Sequence, residues 1–224
     1  MVTGQTEQVT LLYTAALEGR LAILSRLFTR IRMERANRGG PVLLVDLGRA
    51  CVPGSWICDV TQGRAMLVAM DAMGYDAFHI GPRDPLYAQP TTVQELRAML
   101  LTPFAAGPWT ARVTRNEQVF AFASRADLVR ESAALTVILG LGDSPRVEVL
   151  NGPRRVIWLD PGWTQAEPLL GRLHIALTPE APYIEIISQT QLDLSPDLLP
   201  DPTITGIVEF VESEARQAEQ RAHR

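Results

Sequence analysis

Apolar runs alternate with segments of helical period along most of this chain. Gln8 to Thr14, with Leu11-Leu12-Tyr13 at its centre, reads as a buried first strand. From Arg20 to Arg38 the apolar residues Leu21, Leu24, Leu27, Phe28 and Ile31 fall on one helical face and arginines on the other, and Gly39-Gly40-Pro41 ends the helix. Val42 to Val45 predicts a second strand, Gly63 to Met73 a second helix closed by Gly74, and Ala77 to Ile80 a third strand. Thr91 to Leu101 predicts a helix with Thr91 as its N-cap. Ala111 to Thr114 and Gln118 to Ala123 predict a hairpin around Arg115-Asn116, and Leu135 to Leu139 and Val156 to Leu159 two short strands. Leu173 to Leu177 and Tyr183 to Ile187 read as a late antiparallel pair. A proline-rich connector, Pro196 to Pro202, precedes a final helix over Thr203 to Arg224, apolar at Ile204, Ile207, Phe210 and Val211, with a polar tail expected to fray. Strand–helix alternation of this kind is the α/β pattern. With no repeat, low-complexity tract or linker, one domain over residues 1–224 is expected.

Composition adds exclusions. The chain has 224 residues, net charge −4 and 21% charged residues, so nothing draws it to nucleic acid or to an anionic membrane. All 21 basic residues are arginine, which rules out any lysine chemistry. The arginine face at Arg26, Arg30, Arg32, Arg35 and Arg38 reads as solvated. Cys51 and Cys58 are too far apart for a CxxC motif and have no second pair, so free buried thiols are expected ahead of a disulfide between the two, which stays open. Met1 to Thr10 lacks a basic start and an apolar run, and no run reaches membrane-span length, so a cytoplasmic protein is expected.

The candidate chemistry lies where strands should end. Thr14-Ala15-Ala16-Leu17-Glu18-Gly19-Arg20 follows the first strand, Asp46-Leu47-Gly48-Arg49 the second, and Gly81-Pro82-Arg83-Asp84 the third. Pro53-Gly54-Ser55, Thr61-Gln62-Gly63, Met70 to Ala77, Gly140-Leu141-Gly142-Asp143, Leu170-Gly171-Arg172-Leu173 and Asp201-Pro202 continue the series. In order and spacing these stretches resemble the metallophosphoesterases of the 5'-nucleotidase / UDP-sugar hydrolase family.

That resemblance implies a four-layer α-β-β-α sandwich of two mixed sheets. It also implies a two-metal centre, but the ligand positions are altered. Ala16 stands where the family has an aspartate and Glu18 where it has a histidine. Arg49 replaces the metal-bridging aspartate, Pro82 an asparagine, Arg83 the catalytic histidine and Asp84 a glutamate. Leu141 and Asp143 fall in place of the paired histidines, and Arg125 aligns with a further ligand position. Asp46 belongs to the strand end rather than to the ligand set. Of the three histidines, His79 and His174 lie inside strands and His223 in the tail, so none reaches a ligand position. A guanidinium about 4 Å from a divalent cation is repelled by about 8 kcal/mol at an effective dielectric of about 20.

The expectation is therefore a site without metal or cofactor, in which Arg49 and Arg83 are compensated by Glu18, Asp84 and Asp143. This gives a non-catalytic, metallophosphoesterase-like protein with a binding, regulatory or structural role. Two alternatives stay open. The guanidiniums of Arg49 and Arg83 could bind a phosphate-containing small molecule, or the chain could be a divergent hydrolase of phosphate esters or nucleotides using its arginines and carboxylates. The partner is then a small molecule or another protein, with no nucleic acid and no membrane. The final helix offers a route to a homo-oligomer, and the tryptophans Trp56, Trp109, Trp158 and Trp163 read as core or rim.

Overall fold

A computed structural model describes residues 6–37, 39–82, 84–129, 133–150, 154–162 and 168–222. The central element is β1 (Glu7–Ala15), whose residues from Val9 onward are all buried. The chain then makes a 3₁₀ turn (Leu21–Ile23), α1 (Leu24–Ala36) and β2 (Val42–Asp46). Next come α2 (Trp56–Thr61), α3 (Arg64–Ala72), β3 (Ala77–Ile80), a 3₁₀ turn (Pro85–Ala88), α4 (Pro90–Met99) and β4 (Phe104–Ala106). The rest is mostly strand: β5 (Ala111–Arg115), β6 (Gln118–Ala123), β7 (Leu135–Leu139), β8 (Arg146–Leu150), β9 (Val156–Asp160), β10 (Leu169–Leu177) and β11 (Ile184–Gln191), before α5 (Pro202–Ala222).

Two mixed sheets form, as the resemblance implies. One has the order β11-β10-β1-β2-β3-β4, with β1 to β4 parallel, β10 antiparallel to β1 and β11 antiparallel to β10. The second has the order β5-β6-β7-β9-β8, parallel at its centre and antiparallel at both edges. Alternation along each strand separates two cores. Leu11, Tyr13, Val45, Phe120, Val137 and Ile157 fill the space between the sheets. Leu12, Leu44 and Phe78 point the other way, where α1 to α5 cover them with Leu27, Ile31, Met66, Met70, Ile204 and Val211. The α-helices thus all pack on the outer face of the six-stranded sheet. Beyond the five-stranded sheet, the described residues hold a 3₁₀ turn (Ala126–Leu128) in place of a helical layer. Its Leu128, with Val129, shares a cavity with Ala121, Ala123 and Thr136.

Several local readings are corrected. Pro90 occupies the first turn of α4, so the N-cap position is Gln89 rather than Thr91. The arginine face of α1 is not simply solvated: Arg32 Nη1 donates to Asp201 at 2.8 Å, Arg35 Nη2 to the Gly74 carbonyl at 2.8 Å, and Arg30 pairs with Glu34 at 3.1 Å. Arg38 lies outside the described residues. The end of α5 stays helical to Ala222, and Trp56 Nε1 donates to Glu219 there at 3.0 Å; His223 is outside the described residues. No helix among the described residues is long and apolar enough to cross a membrane.

Candidate functional site

β1 and β2 are parallel neighbours, so the loops leaving their C-terminal ends run side by side. Three backbone bonds join them: Ala16 N–H to Gly48 O at 3.1 Å, Glu18 N–H to Arg49 O at 2.9 Å and Gly19 N–H to Ala50 O at 2.8 Å. This pairing forces a left-handed backbone on Ala16, Glu18 and Arg49, with φ of 55°, 53° and 58°. Each such residue costs about 1–2 kcal/mol, and conformations of this kind gather at functional sites. Gly19 is required by contact as well, since a Cβ there would lie 2.1 Å from Ser55 Oγ and 2.8 Å from Cys58 Sγ.

The loops bring Arg49 onto Glu18. Nε and Nη2 of Arg49 donate to Glu18 Oε1 at 3.2 and 2.9 Å, and Arg20 Nη2 lies 3.8 Å from the other carboxylate oxygen. Both partners of the main pair are about one-fifth exposed, at 20% and 19%. Asp84 takes a different part from the one expected. Its carboxylate accepts the backbone N–H of Arg49 at 3.0 Å and that of Leu86 at 2.9 Å, fixing the β3 loop to the β2 loop. Burial pushes Asp84 up to about 6, against the lowering effect of those two bonds and of the Arg49 charge. Asp143 stands exposed, outside the lining of the cavity described below. Arg83 lies outside the described residues, as does Trp163.

Asp46 is fully buried beneath this layer. It accepts from Thr14 Oγ1 at 2.8 Å and Gly48 N–H at 2.9 Å, and Tyr75 Oη lies 2.9 Å from Thr14 Oγ1. Burial pushes Asp46 up to about 7, opposed by the Thr14 and Gly48 bonds and reinforced by the charge of Asp84.

Cys51 and Cys58 form a disulfide, which corrects the expectation of free thiols. α2 starts just after the Pro53-Gly54 turn and carries Cys58 back to a Cα–Cα distance of 5.5 Å from Cys51, within bridging range. The bridge closes the loop that begins two residues after Arg49.

A cavity of about 350 Å³ opens beside the pair, at the C-terminal ends of strands from both sheets. Arg49, Pro82, Asp84 and Leu141 line it, as does Arg125, which is well exposed and bonded to Asp127 at 2.9 and 2.6 Å. Sequence reasoning missed three contributors: His79 as a lining residue, Trp158 and Asp160. His79 Nδ1 bonds to the Leu47 carbonyl at 2.9 Å, and burial holds its pKa below the usual histidine range. Asp160 accepts from Gly142 N–H at 2.8 Å and Gly162 N–H at 2.9 Å. Their positions at the ends of β3 and β9 were the available signal.

The residues at the inferred two-metal position do not fit metal ions. Ala16, Leu141 and Pro82 have no side-chain donor atom, and Arg49 brings a guanidinium to the position that the resemblance assigns to a bridging aspartate. Among the described residues no group of three or more His, Cys, Asp or Glu could hold an ion.

No protein-family model matches the sequence, and no curated protein sequence does either. Solved structures do match. Bacillus subtilis YfkN, a calcineurin-like phosphoesterase, superposes with a TM-score of 0.66 at 10% identity over 96% of this chain and 100% of that one. The 5'-nucleotidase precursor of Thermus thermophilus gives 0.66 at 13% identity over 94% of this chain and 59% of that one. Haemophilus influenzae NAD nucleotidase (NadN) gives 0.63 at 11% over 95% and 61%. The chain thus spans about three-fifths of the length of the two nucleotidases. At these identities the likeness speaks for architecture alone, and the chain has the calcineurin-like metallophosphoesterase fold.

Proposed function

We propose that this protein is a metallophosphoesterase-like binding protein rather than a hydrolase, with an ion pair in place of the dimetal centre. The observation that carries this reading is the contact of Arg49 with Glu18, at 2.9 Å, where the motif spacing puts a metal bridge. A fixed guanidinium supplies positive charge without a coordination sphere, and it cannot lower the pKa of a bound water as a metal ion does. The neighbouring cavity, open to solvent and lined by polar groups from both sheets, is where a small molecule would bind.

The test is elemental analysis of the purified protein, together with turnover of phosphate monoesters and diesters in the presence of manganese or zinc. The expected result is no bound metal in stoichiometric amount and no metal-dependent turnover. Hydrolysis that needs metal and disappears in Glu18→Ala would overturn the reading.

A second reading draws on Asp84, whose pKa lies near 6 in a cavity with Arg49 beside it. Carboxyl groups shifted toward neutrality in a cleft are candidates for general acid–base work. A metal-free hydrolase of phosphate esters would then lose activity in Asp84→Asn and keep it in chelator.

A further inference from the structure

The cavity has a polar floor that the Arg49–Glu18 pair does not use. His79 Nδ1 is bonded to a carbonyl, which only accepts, so the proton sits on Nδ1 and Nε2 keeps a lone pair. Among the described residues Nε2 has no hydrogen-bond partner, although His79 is 5% exposed and lines the cavity. Trp158 Nε1–H likewise has no partner among them, and Arg146 holds the indole from one side, with its guanidinium carbon 4.4 Å from the ring centroid. Each oxygen of Asp160 takes one backbone N–H and keeps capacity for another.

Glycines keep this floor bare. A Cβ at Gly81 would lie 2.7 Å from His79 Cε1 and 3.1 Å from Nε2. One at Gly140 would lie 2.9 Å from Asp160 Oδ2 and 3.3 Å from Trp158 Nε1, and one at Gly142 again 2.9 Å from Asp160 Oδ2. Neither Gly81 nor Gly140 has a left-handed φ, so backbone conformation does not demand glycine at these two positions. What glycine secures there is room against the polar atoms.

We propose that this floor binds the primary carboxamide of a small planar ligand. Its two N–H groups go to His79 Nε2 and Asp160, and its carbonyl oxygen accepts from Trp158 Nε1. The floor offers two acceptor groups and one donor, which is the complement of a carboxamide. A carboxylate of the same shape brings acceptors only and meets the Asp160 charge. An ammonium satisfies the acceptors but leaves the indole N–H without a partner. A polar group buried by the ligand and left unmatched weakens binding by about tenfold or more, which makes the discrimination measurable.

This inference rests on the reading that the cavity binds rather than hydrolyses, and the two fail separately. Metal-dependent turnover sinks that reading whatever the ligand. The carboxamide site is tested by calorimetric titration of the full chain with benzamide and, as the shape-matched control, benzoate. Benzamide should bind saturably and about tenfold or more tighter than benzoate. Gly140→Ala, which fills the floor without removing a polar group, should weaken benzamide by about tenfold or more, and so should Trp158→Phe, which removes the donor. Should Gly140→Ala fail to fold by circular dichroism, Trp158→Phe decides. Equal or tighter binding of benzoate, no saturable benzamide binding, or wild-type affinity in the deciding variant would each overturn the proposal.

Discussion

Arg49 and Glu18 face each other from two adjacent loops, and each holds a left-handed backbone conformation to do so. Because Glu18 N–H also donates to Arg49 O, the two residues are joined through backbone and side chain together. The ion pair therefore ties the ends of β1 and β2, a task that bound metals perform in a two-metal enzyme. Partial burial sets its strength between that of an exposed pair and that of a fully desolvated one.

Arg49→Ala should destabilise the protein by about 1–2 kcal/mol in urea unfolding, since among the described residues it leaves Glu18 with only the distant Arg20. Glu18→Ala should cost a similar amount. The double variant should cost less than the sum, with a coupling of about 1 kcal/mol. Strict additivity would show that the pair contributes nothing and that the two positions matter only for loop conformation.

Asp201 joins α1 to the start of α5. Its carboxylate accepts the N–H groups of Thr203 at 3.0 Å and Ile204 at 3.2 Å, and pairs with Arg32 of α1 at 2.8 Å. Asp201→Ala should lose about 1–2 kcal/mol, the usual range for a lost N-cap. Arg32→Ala should lose less, because that side chain is 65% exposed. Equal losses in the two variants would make the ion pair, rather than the cap, the working contact.

The strands at the centre of the fold were legible because their residues are apolar without interruption in Val42 to Val45 and apart from His79 in Ala77 to Ile80. Val42 to Val45 and Ala77 to Ile80 match β2 and β3 within a residue. Three elements were not. β4 has only three residues, α2 is too short at six to show a helical period, and β8 carries Arg146 and Glu148 on an exposed edge. At the site, spacing and charge together anticipated that Glu18 would meet Arg49. They did not anticipate that Asp84 would serve the backbone N–H of Arg49, because that depends on the left-handed φ at position 49. The His79, Trp158 and Asp160 floor was invisible for a different reason. Its members come from separate sheets, and only the packing of one sheet on the other brings them to one cavity.

The disulfide offers a direct test of how firmly the Arg49 loop is held. Cys51 and Cys58 are 7 residues apart, and closing so short a loop stabilises by about 2.5 kcal/mol in the chain-entropy account. The Cys51→Ser, Cys58→Ser double variant should lower the urea midpoint accordingly, and wild-type protein in excess dithiothreitol should follow it. Identical midpoints for oxidised, reduced and doubly substituted protein would remove the bridge from any account of the loop.

Asp46 should make stability fall as pH rises. Its carboxyl is pushed up to about 7 from an ordinary value of 3.8, chiefly by burial. Below the ordinary value both folded and unfolded chains carry the proton, and the stability is fully present. Between about 4 and about 7 the unfolded chain releases its proton while the folded protein retains it, so unfolding becomes progressively easier. Above about 7 both forms are ionised and the loss levels off, at about 4 kcal/mol for a shift of this size. His79 acts in the opposite sense. Its pKa is depressed by burial, so it withdraws stability as pH falls below the usual histidine range. Comparison with Asp46→Asn isolates the aspartate, since the other groups titrate in both proteins. The asparagine keeps an acceptor for Thr14 but turns an N–H toward Gly48, so the variant should be the less stable protein at pH 5. Its relative stability should then climb from about pH 4 to about pH 7, as the unfolded wild-type chain ionises at this position while the folded protein keeps the proton, and level off above that. Urea midpoints measured from pH 4 to 8 would show this as converging or crossing curves. Parallel curves would mean that Asp46 ionises as readily in the folded protein as in the unfolded chain, and that the hydrogen bonds from Thr14 and Gly48 fully offset its burial.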